Sequence, residues 1–227
     1  MKIAITRLRE KAGKDAALCR KYGHECFTVS PLASEVYIDN TREFVSRVNA
    51  GEFDCLFFTS ALPAQIVGPL LETWPRVIAI GPQTTRTLQQ LGIECETLPA
   101  FYSRNFAPYL GEWLKGKNVG IPRADVPNPA LLDSIRSEGG IPHETAVYAL
   151  IATNEELRTE DADAIIFTSG NSFSLAVWDS EQDLIVVAIG DITAERILKA
   201  GITPAVVGDG SLEGTLRALN MHLENQA

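Results

Sequence analysis

Asp54-Cys55-Leu56-Phe57-Phe58-Thr59-Ser60 is the stretch that decides how this chain is read. Four apolar residues run unbroken into a Thr-Ser pair. That is the pattern of a strand buried on both faces and ending in polar residues. The pattern returns 109 residues later as Asp163-Ala164-Ile165-Ile166-Phe167-Thr168-Ser169. The offset then holds without a gap. Val77 lines up with Val186, Ala79-Ile80-Gly81 with Ala188-Ile189-Gly190, Thr84 with Thr193, and Gly92-Ile93 with Gly201-Ile202. A period this long belongs to a duplicated half-protein rather than to a solenoid. A weaker echo sits at an offset of 116, where Ile5-Thr6-Arg7 lines up with Ile121-Pro122-Arg123, Arg20 with Arg136 and Gly23 with Gly139.

Outward from the repeat, strands alternate with helices. Strands are predicted at Ile3–Ile5, Glu25–Val29, Cys55–Phe58, Val77–Ile80 and Glu94–Leu98. The second set is Val119–Pro122, His143–Tyr148, Ala164–Phe167, Ile185–Ile189 and Thr203–Val207. One helix runs through Ala16, Ala17, Leu18 and Tyr22 and stops at Gly23. Another opens with Pro82 and closes at Gly92, the usual Pro-first, Gly-last asymmetry. A third covers Asp191–Ala200. Ten strands of this kind fit an α/β protein with two five-stranded parallel sheets, helices on both faces of each. Two divisions fit equally: sequential halves that break near Gly116, or a chain that enters one domain, completes the other and returns.

The length of 227 residues suits two small domains, and 45% hydrophobic with 22% charged residues is ordinary globular composition. No apolar run reaches the roughly 18–20 residues of a membrane span. Met1–Arg7 reads as a strand and loop rather than a secretory signal, so a cytoplasmic protein is expected. The net charge of −9 argues against nucleic-acid and anionic-membrane partners. It leaves room for a small anion held by local cations or backbone N–H groups. Cys19, Cys26, Cys55 and Cys95 form no C-x-x-C, and His24, His143 and His222 lie far apart. Buried free thiols are expected, with no metal site and no redox dithiol.

Ligands of open α/β sheets bind beyond the carboxyl ends of the strands. The repeat puts Thr59-Ser60 and Thr168-Ser169 there, and Gly81–Thr84 and Gly190–Thr193 one strand further on. Glycine admits close backbone approach, and a helix N-terminus offers N–H groups to carboxylates or phosphates. The same Ser and Thr residues are also ordinary helix caps. Neither glycine belongs to a G-x-G-x-x-G fingerprint, and no P-loop lysine follows. Arg7 and Arg123 sit in equivalent places just after strands and are candidate bidentate carboxylate clamps. Tyr148 ends its strand and is either a phenolic proton donor or an edge residue. Asp161 and Asp163 precede a strand, at the end away from the ligand, and read as solvent-facing turn residues.

Taken in order, Phe-Thr-Ser, Ala-Ile-Gly-Pro-x-Thr, Leu-Gly-Ile, a Pro-Arg strand end, Val-Tyr, and then Phe-Thr-Ser and Ala-Ile-Gly again, the chain resembles the uroporphyrinogen-III synthase family over nearly its whole length. The resemblance implies two flavodoxin-like domains joined by a two-stranded hinge. Residues 1–34 plus 152–227 would form a discontinuous domain and 36–150 an inserted one, with the hinge near 33–36 and 149–152. It implies cyclisation of hydroxymethylbilane, with inversion of ring D through a spiro intermediate and loss of water, without metal or organic cofactor. The substrate carries eight carboxylates. By the same resemblance Tyr148 assists departure of the hydroxyl, and Thr59, Thr84, Ser169 and Thr193 match polar positions at the strand ends. Ser60, Gly81, Thr168, Gly170, Asn171 and Gly190 complete the expected binding edge with Arg7 and Arg123. A monomer is expected, with a transient hand-off of substrate from porphobilinogen deaminase. Three departures bear on side-chain contacts: Ala61-Leu62-Pro63 in place of an Asn-Gly-type loop, Gly190-Asp191 in place of Gly-Pro, and Thr85 in place of a small residue. The competing reading is a two-lobed hinge-bending protein that binds a small anion, or regulates, without turnover.

Overall fold

The computed structural model describes residues 1–9, 13 and 15–225. The chain forms two compact units, Met1–Ser34 with Ile151–Ala227, and Glu35–Leu150. The discontinuous unit holds a five-stranded sheet of β1 (Lys2–Thr6), β2 (Glu25–Val29), β9 (Ala164–Phe167), β10 (Ile185–Ala188) and β11 (Val206–Val207). Its order is β11-β10-β9-β1-β2, with every pair parallel. Counted within the unit, that is the flavodoxin order 2-1-3-4-5.

The continuous unit contains β4 (Cys55–Phe58), β5 (Arg76–Ala79), β6 (Glu96–Thr97), β7 (Asn118–Ala124) and β8 (Ile141–Ala152). These five pair in parallel as β8-β7-β4-β5-β6. Counted from β4 the order differs from flavodoxin's; counted from β7 it is the same order, circularly permuted. An eleventh strand, β3 (Leu32–Val36), lies at the β8 edge of this sheet; it covers the segment near 33–36 that the family resemblance implied as a hinge strand and that the residue pattern alone did not mark. Its burial fades from Leu32 to an exposed Glu35 and Val36, which is why periodicity missed it.

The registers explain the repeat. Lys2 pairs with Glu25 and Asn118 with Ile141, both 116 residues on. Ile3 pairs with Ala164 where Val119 pairs with Cys55, and Ala164 with Ile185 where Cys55 pairs with Arg76. Each unit therefore takes its first two strands from one copy of the repeat and its last three from the other. The repeated aspartates serve this arrangement. Asp54 accepts from the Asn118 N–H at 2.9 Å and Asp163 from the Lys2 N–H at 2.7 Å. Asp163 is exposed, as a turn residue should be, but its carboxylate also fixes the start of β1.

Helices cover both faces. In α2 (Ile38–Asn49), Thr41, Phe44, Val45 and Val48 are buried at helical spacing. In α4 (Pro82–Gln90) proline takes the first position, and Gly92 follows at φ +77°, where a side chain would be strained. The first helix, α1 (Ala16–Lys21), is shorter than the apolar pattern indicates. The other helices that bear on the site are α3 (Ala61–Val67), α6 (Pro129–Ser137), α7 (Gly170–Ser174), α8 (Asp191–Lys199) and α9 (Leu212–Glu224), with α5 (Phe106–Leu110) completing the set. Strand β4 is buried throughout and feeds two cores: Leu56 and Phe58 pack with Phe44 and Val77, Cys55 and Phe57 with Phe106 and Ile121. Cys19 and Cys55 are buried thiols as expected; Cys26 and Cys95 are partly exposed, which corrects the reading for that pair. Among the described residues no helix is long and apolar enough to cross a membrane.

Candidate functional site

In the discontinuous unit the predicted edge is one cavity of about 460 Å³. Thr168, Ser169, Gly170, Gly190 and Thr193 all line it; Asn171 lies just beyond, in the first turn of α7. The lining hydroxyls are mostly occupied. Ser169 caps α7 by accepting from the Ser172 N–H at 3.0 Å, and the Ser172 hydroxyl accepts from the Ser169 N–H at 3.0 Å. The Thr168 hydroxyl donates to the Thr6 carbonyl at 2.5 Å. Thr6 is fully buried and joins these pieces. Its hydroxyl accepts from the Thr168 N–H at 2.9 Å and lies 3.0 Å from the Ser172 hydroxyl. Neither Thr6 nor Ser172 is among the residues the sequence pointed to. Thr6 ends a strand in the weak repeat opposite Pro122, so nothing in the pattern marks it.

Helix α8 starts at Gly190 with no side-chain cap; Asp191, Ile192 and Thr193 of its first turn line the cavity, and the Thr193 N–H is taken by the Gly190 carbonyl at 3.0 Å. Gly190 is extended (φ −174°), so its need for glycine is spatial: a Cβ there would lie 3.2 Å from the Gly210 nitrogen. Thr193 is 3% exposed, a packed residue beneath the edge. Two carboxylates reach the cavity, Asp191 and Asp209. Hydrogen bonds from the Ser211 hydroxyl and N–H hold Asp209 below the usual carboxylate range. The Gly208-Asp209-Gly210-Ser211 run before α9 is a cap signature that points to this loop in retrospect.

The continuous unit repeats the edge with different chemistry. Thr59 and Ser60 follow β4, and Gly81 follows β5 beneath the Phe101 ring, 3.3 Å from where a Cβ would sit. Thr84 is buried to the same degree as Thr193. Tyr148 does not end its strand. It lies inside β8, which runs on to Ala152, and pairs with Ala124 across a bulge that skips Val147. The bulge turns the side chain into the core with Phe58 and Ala64. Burial raises the phenol above its ordinary pKa, while a hydrogen bond from Ser60 and the charge of Arg123 act in the opposite direction. The Tyr148 carbonyl accepts from the Asp125 N–H at 2.8 Å.

The two arginines are not equivalent. Arg7 follows β1 and its fork is filled by Asp15, at 2.7 and 3.2 Å. Arg123 lies within β7 rather than after it, because the strand continues to Ala124. It is buried, pairs with Glu144 at 2.5 Å, and keeps a buried Nε that has no hydrogen-bond partner among the described residues. An unpaired buried donor of this kind costs about 1–3 kcal/mol, which a carboxylate would relieve.

The model of the family described as uroporphyrinogen-III synthase HemD matches residues 14–215. The chain belongs to the uroporphyrinogen-III synthase family. A Methanocaldococcus jannaschii protein provisionally named a uroporphyrinogen-III synthase is 27% identical, over 96% of this chain and 98% of the relative. Among solved structures, the uroporphyrinogen-III synthetase of Helicobacter pylori aligns over 98% of this chain and 100% of its own, with a TM-score of 0.65 at 18% identity. A mutant uroporphyrinogen III synthase of Thermus thermophilus covers 99% of each chain, with a TM-score of 0.59 at 19% identity. At these identities the two structures speak to the fold, and they support the two-domain α/β architecture of the synthase family. The reading as a binding or regulatory protein without turnover finds no support in these matches.

Proposed function

We propose that this chain closes hydroxymethylbilane to uroporphyrinogen III, inverting ring D and releasing one water, and that the repeated strand-end edges bind the substrate. The family match over residues 14–215 carries the reading. The edges agree with it chemically: N–H groups at the starts of α4 and α8 suit a polycarboxylate despite the net charge of −9. Arg123, with its unpaired Nε, is the clamp we assign to a substrate carboxylate, and Arg7 is structural. Tyr148 supplies the phenol that helps the hydroxyl depart. A phenol already holds its proton at neutral pH, and burial, which raises its pKa, makes it a weaker acid, so it assists by hydrogen bonding more than by full transfer. The reading includes a hinge at 33–36 and 149–152, a monomer, and delivery of the bilane by porphobilinogen deaminase in the cytoplasm. Light scattering and small-angle X-ray scattering, with and without substrate, test the monomer and the hinge.

The direct test is a coupled assay in which porphobilinogen deaminase generates hydroxymethylbilane in the presence of this protein. Oxidised products are separated by isomer. Dominant type III is expected, because unassisted closure gives type I. Only type I from a folded sample would overturn the proposal.

A further inference from the structure

The loop that leaves β6 lies on the same edge of the continuous unit as Thr59, Ser60 and Gly81, because β4, β5 and β6 run parallel. It carries two aromatic rings outward: Phe101 is 56% exposed and Tyr102 is 59% exposed. The loop is built to hold them there. The Tyr102 N–H donates to the Ala100 carbonyl and the Asn105 N–H to the Tyr102 carbonyl, each at 2.9 Å. The Asn105 amide donates to the Ala100 carbonyl at 3.3 Å, and the Asn128 amide, at the start of α6, donates to the Ser103 hydroxyl at 3.3 Å. Phe101 also has a seat. A Cβ at Gly81 would lie 3.3 Å from its Cγ and Cδ1, so the ring rests on glycine and keeps over half of its surface open. Three residues on, the Arg104 guanidinium stands 4.6 Å from the centre of the Tyr102 ring. Arg7, Arg47, Arg76 and Arg123 each hold a carboxylate. Arg104 is exposed and meets none among the described residues. A guanidinium stacked on an aromatic face is pre-organised, and its in-plane N–H fork stays free for an anion.

We propose that Phe101 and Arg104 form a subsite for one pyrrole ring of the bilane: the ring stacks on Phe101, and Arg104 takes a carboxylate of that same ring. The proposal rests on the synthase reading. The substrate supplies both halves of the match, since eight carboxylates on four pyrroles put two acidic arms on each aromatic ring. An aromatic plate beside an open guanidinium fits such a ring; a simple inorganic anion would engage Arg104 and leave Phe101 idle. The other unit offers a different surface at the corresponding place. There the Gly210 backbone lies over Gly190, 3.2 Å from where a Cβ would sit, and Asp191 and Asp209 face the cavity. The two edges of the duplication thus differ in charge and in apolar surface, and the ring-binding one is the edge with Phe101. Stacking and the carboxylate contact are made equally in substrate and transition state, so the subsite acts on KM and not on kcat.

The test uses Phe101→Leu, Phe101→Tyr, Arg104→Gln and Arg136→Gln in the full-length protein, scored for KM and kcat with hydroxymethylbilane and for Tm. Phe101→Leu keeps an apolar side chain and loses the ring; KM is expected to rise roughly fivefold. Phe101→Tyr keeps the ring, and KM is expected to stay near the wild-type value. Arg104→Gln is expected to raise KM roughly five- to tenfold. Arg136→Gln removes the same charge from the exposed last turn of α6, where Arg136 pairs with Asp133, and is expected to leave KM in place. Tm is expected to hold in the Phe101 and Arg104 variants, because both side chains are exposed. An unmoved KM in Phe101→Leu or in Arg104→Gln would overturn the proposal. So would an equal rise in Phe101→Leu and Phe101→Tyr, which would remove stacking. An equal rise in Arg104→Gln and Arg136→Gln would assign the effect to net charge and overturn it too, as would a fall in kcat with KM unchanged. Wild-type protein yielding only type I would overturn the functional reading and the subsite with it, whereas type III from the wild type with unmoved KM in the variants would overturn the subsite alone.

Discussion

Tyr148, at the scale of single residues, is the side chain to which the proposed mechanism assigns departure of the hydroxyl. Its replacement by phenylalanine removes the proton donor and keeps the packing. Turnover to type III should fall about 10²-fold, the low end for a general acid, while bilane binding persists in a calorimetric or fluorescence titration. Arg123→Gln should raise KM by roughly tenfold, because a charge-assisted contact to a substrate carboxylate is lost. Arg7→Gln should leave KM in place and lower Tm, because its fork is already filled by Asp15. The sequence made Arg7 and Arg123 look alike because Ile5-Thr6-Arg7 and Ile121-Pro122-Arg123 line up in the weak repeat. What separates them is the position of Asp15 and Glu144, 8 and 21 residues away along the chain. Spacing cannot reveal which carboxylate folds back onto which arginine.

At the scale of elements, strand ends are held by single side chains, one that the repeat does not advertise and one that it does. Thr6 bridges β1 to the end of β9 and the start of α7. Thr6→Val keeps the shape but leaves the Thr168 N–H without its acceptor; a loss of about 1–3 kcal/mol is expected in urea denaturation. Asp54 ties β4 to the first residue of β7, and the Asn118 N–H and Lys117 ammonium hold its carboxyl below the ordinary value. A depressed folded-state pKa stabilises the fold above the unfolded-state value and gives that stability up as pH falls through the folded one. Asp54→Asn should therefore flatten the acid side of the stability curve, measured as Tm against pH, and leave the alkaline side unchanged. Strand and helix positions were legible here, since β4, β5, β9 and β10 are apolar runs with clear polar stops. The weakest elements were not: β3 and the last residues of β8 are half exposed and owe their extension to their neighbours.

Across the whole molecule, the duplication is arranged so that neither unit is built from one copy. The continuous unit has its own cores, and Leu56 is buried at the centre of one of them. Leu56→Ala should destabilise that unit by about 2–5 kcal/mol. Hydrogen exchange should show the loss of protection confined to residues 35–150, with strands β1, β9 and β10 unaffected. Spread of the loss across both units would mean that they unfold as one cooperative body.

The order of residues along the chain specifies the α/β class, the repeat and the places where strands end, because burial on two faces writes itself as unbroken apolar runs and strand ends as Gly, Ser and Thr. It leaves open whether the halves are sequential or interleaved, since both arrangements use the same ten runs. The folded chain resolves that through registers that pair β1 with β9 and β4 with β7. Folding also sorts the repeated side chains into those spent on the fold and those left over. Ser60 and Ser169 have the same sequence context on their N-terminal side. Only the residue three positions on, a serine in one copy and a proline in the other, separates a serine locked in a capping box from one that makes no cap bond.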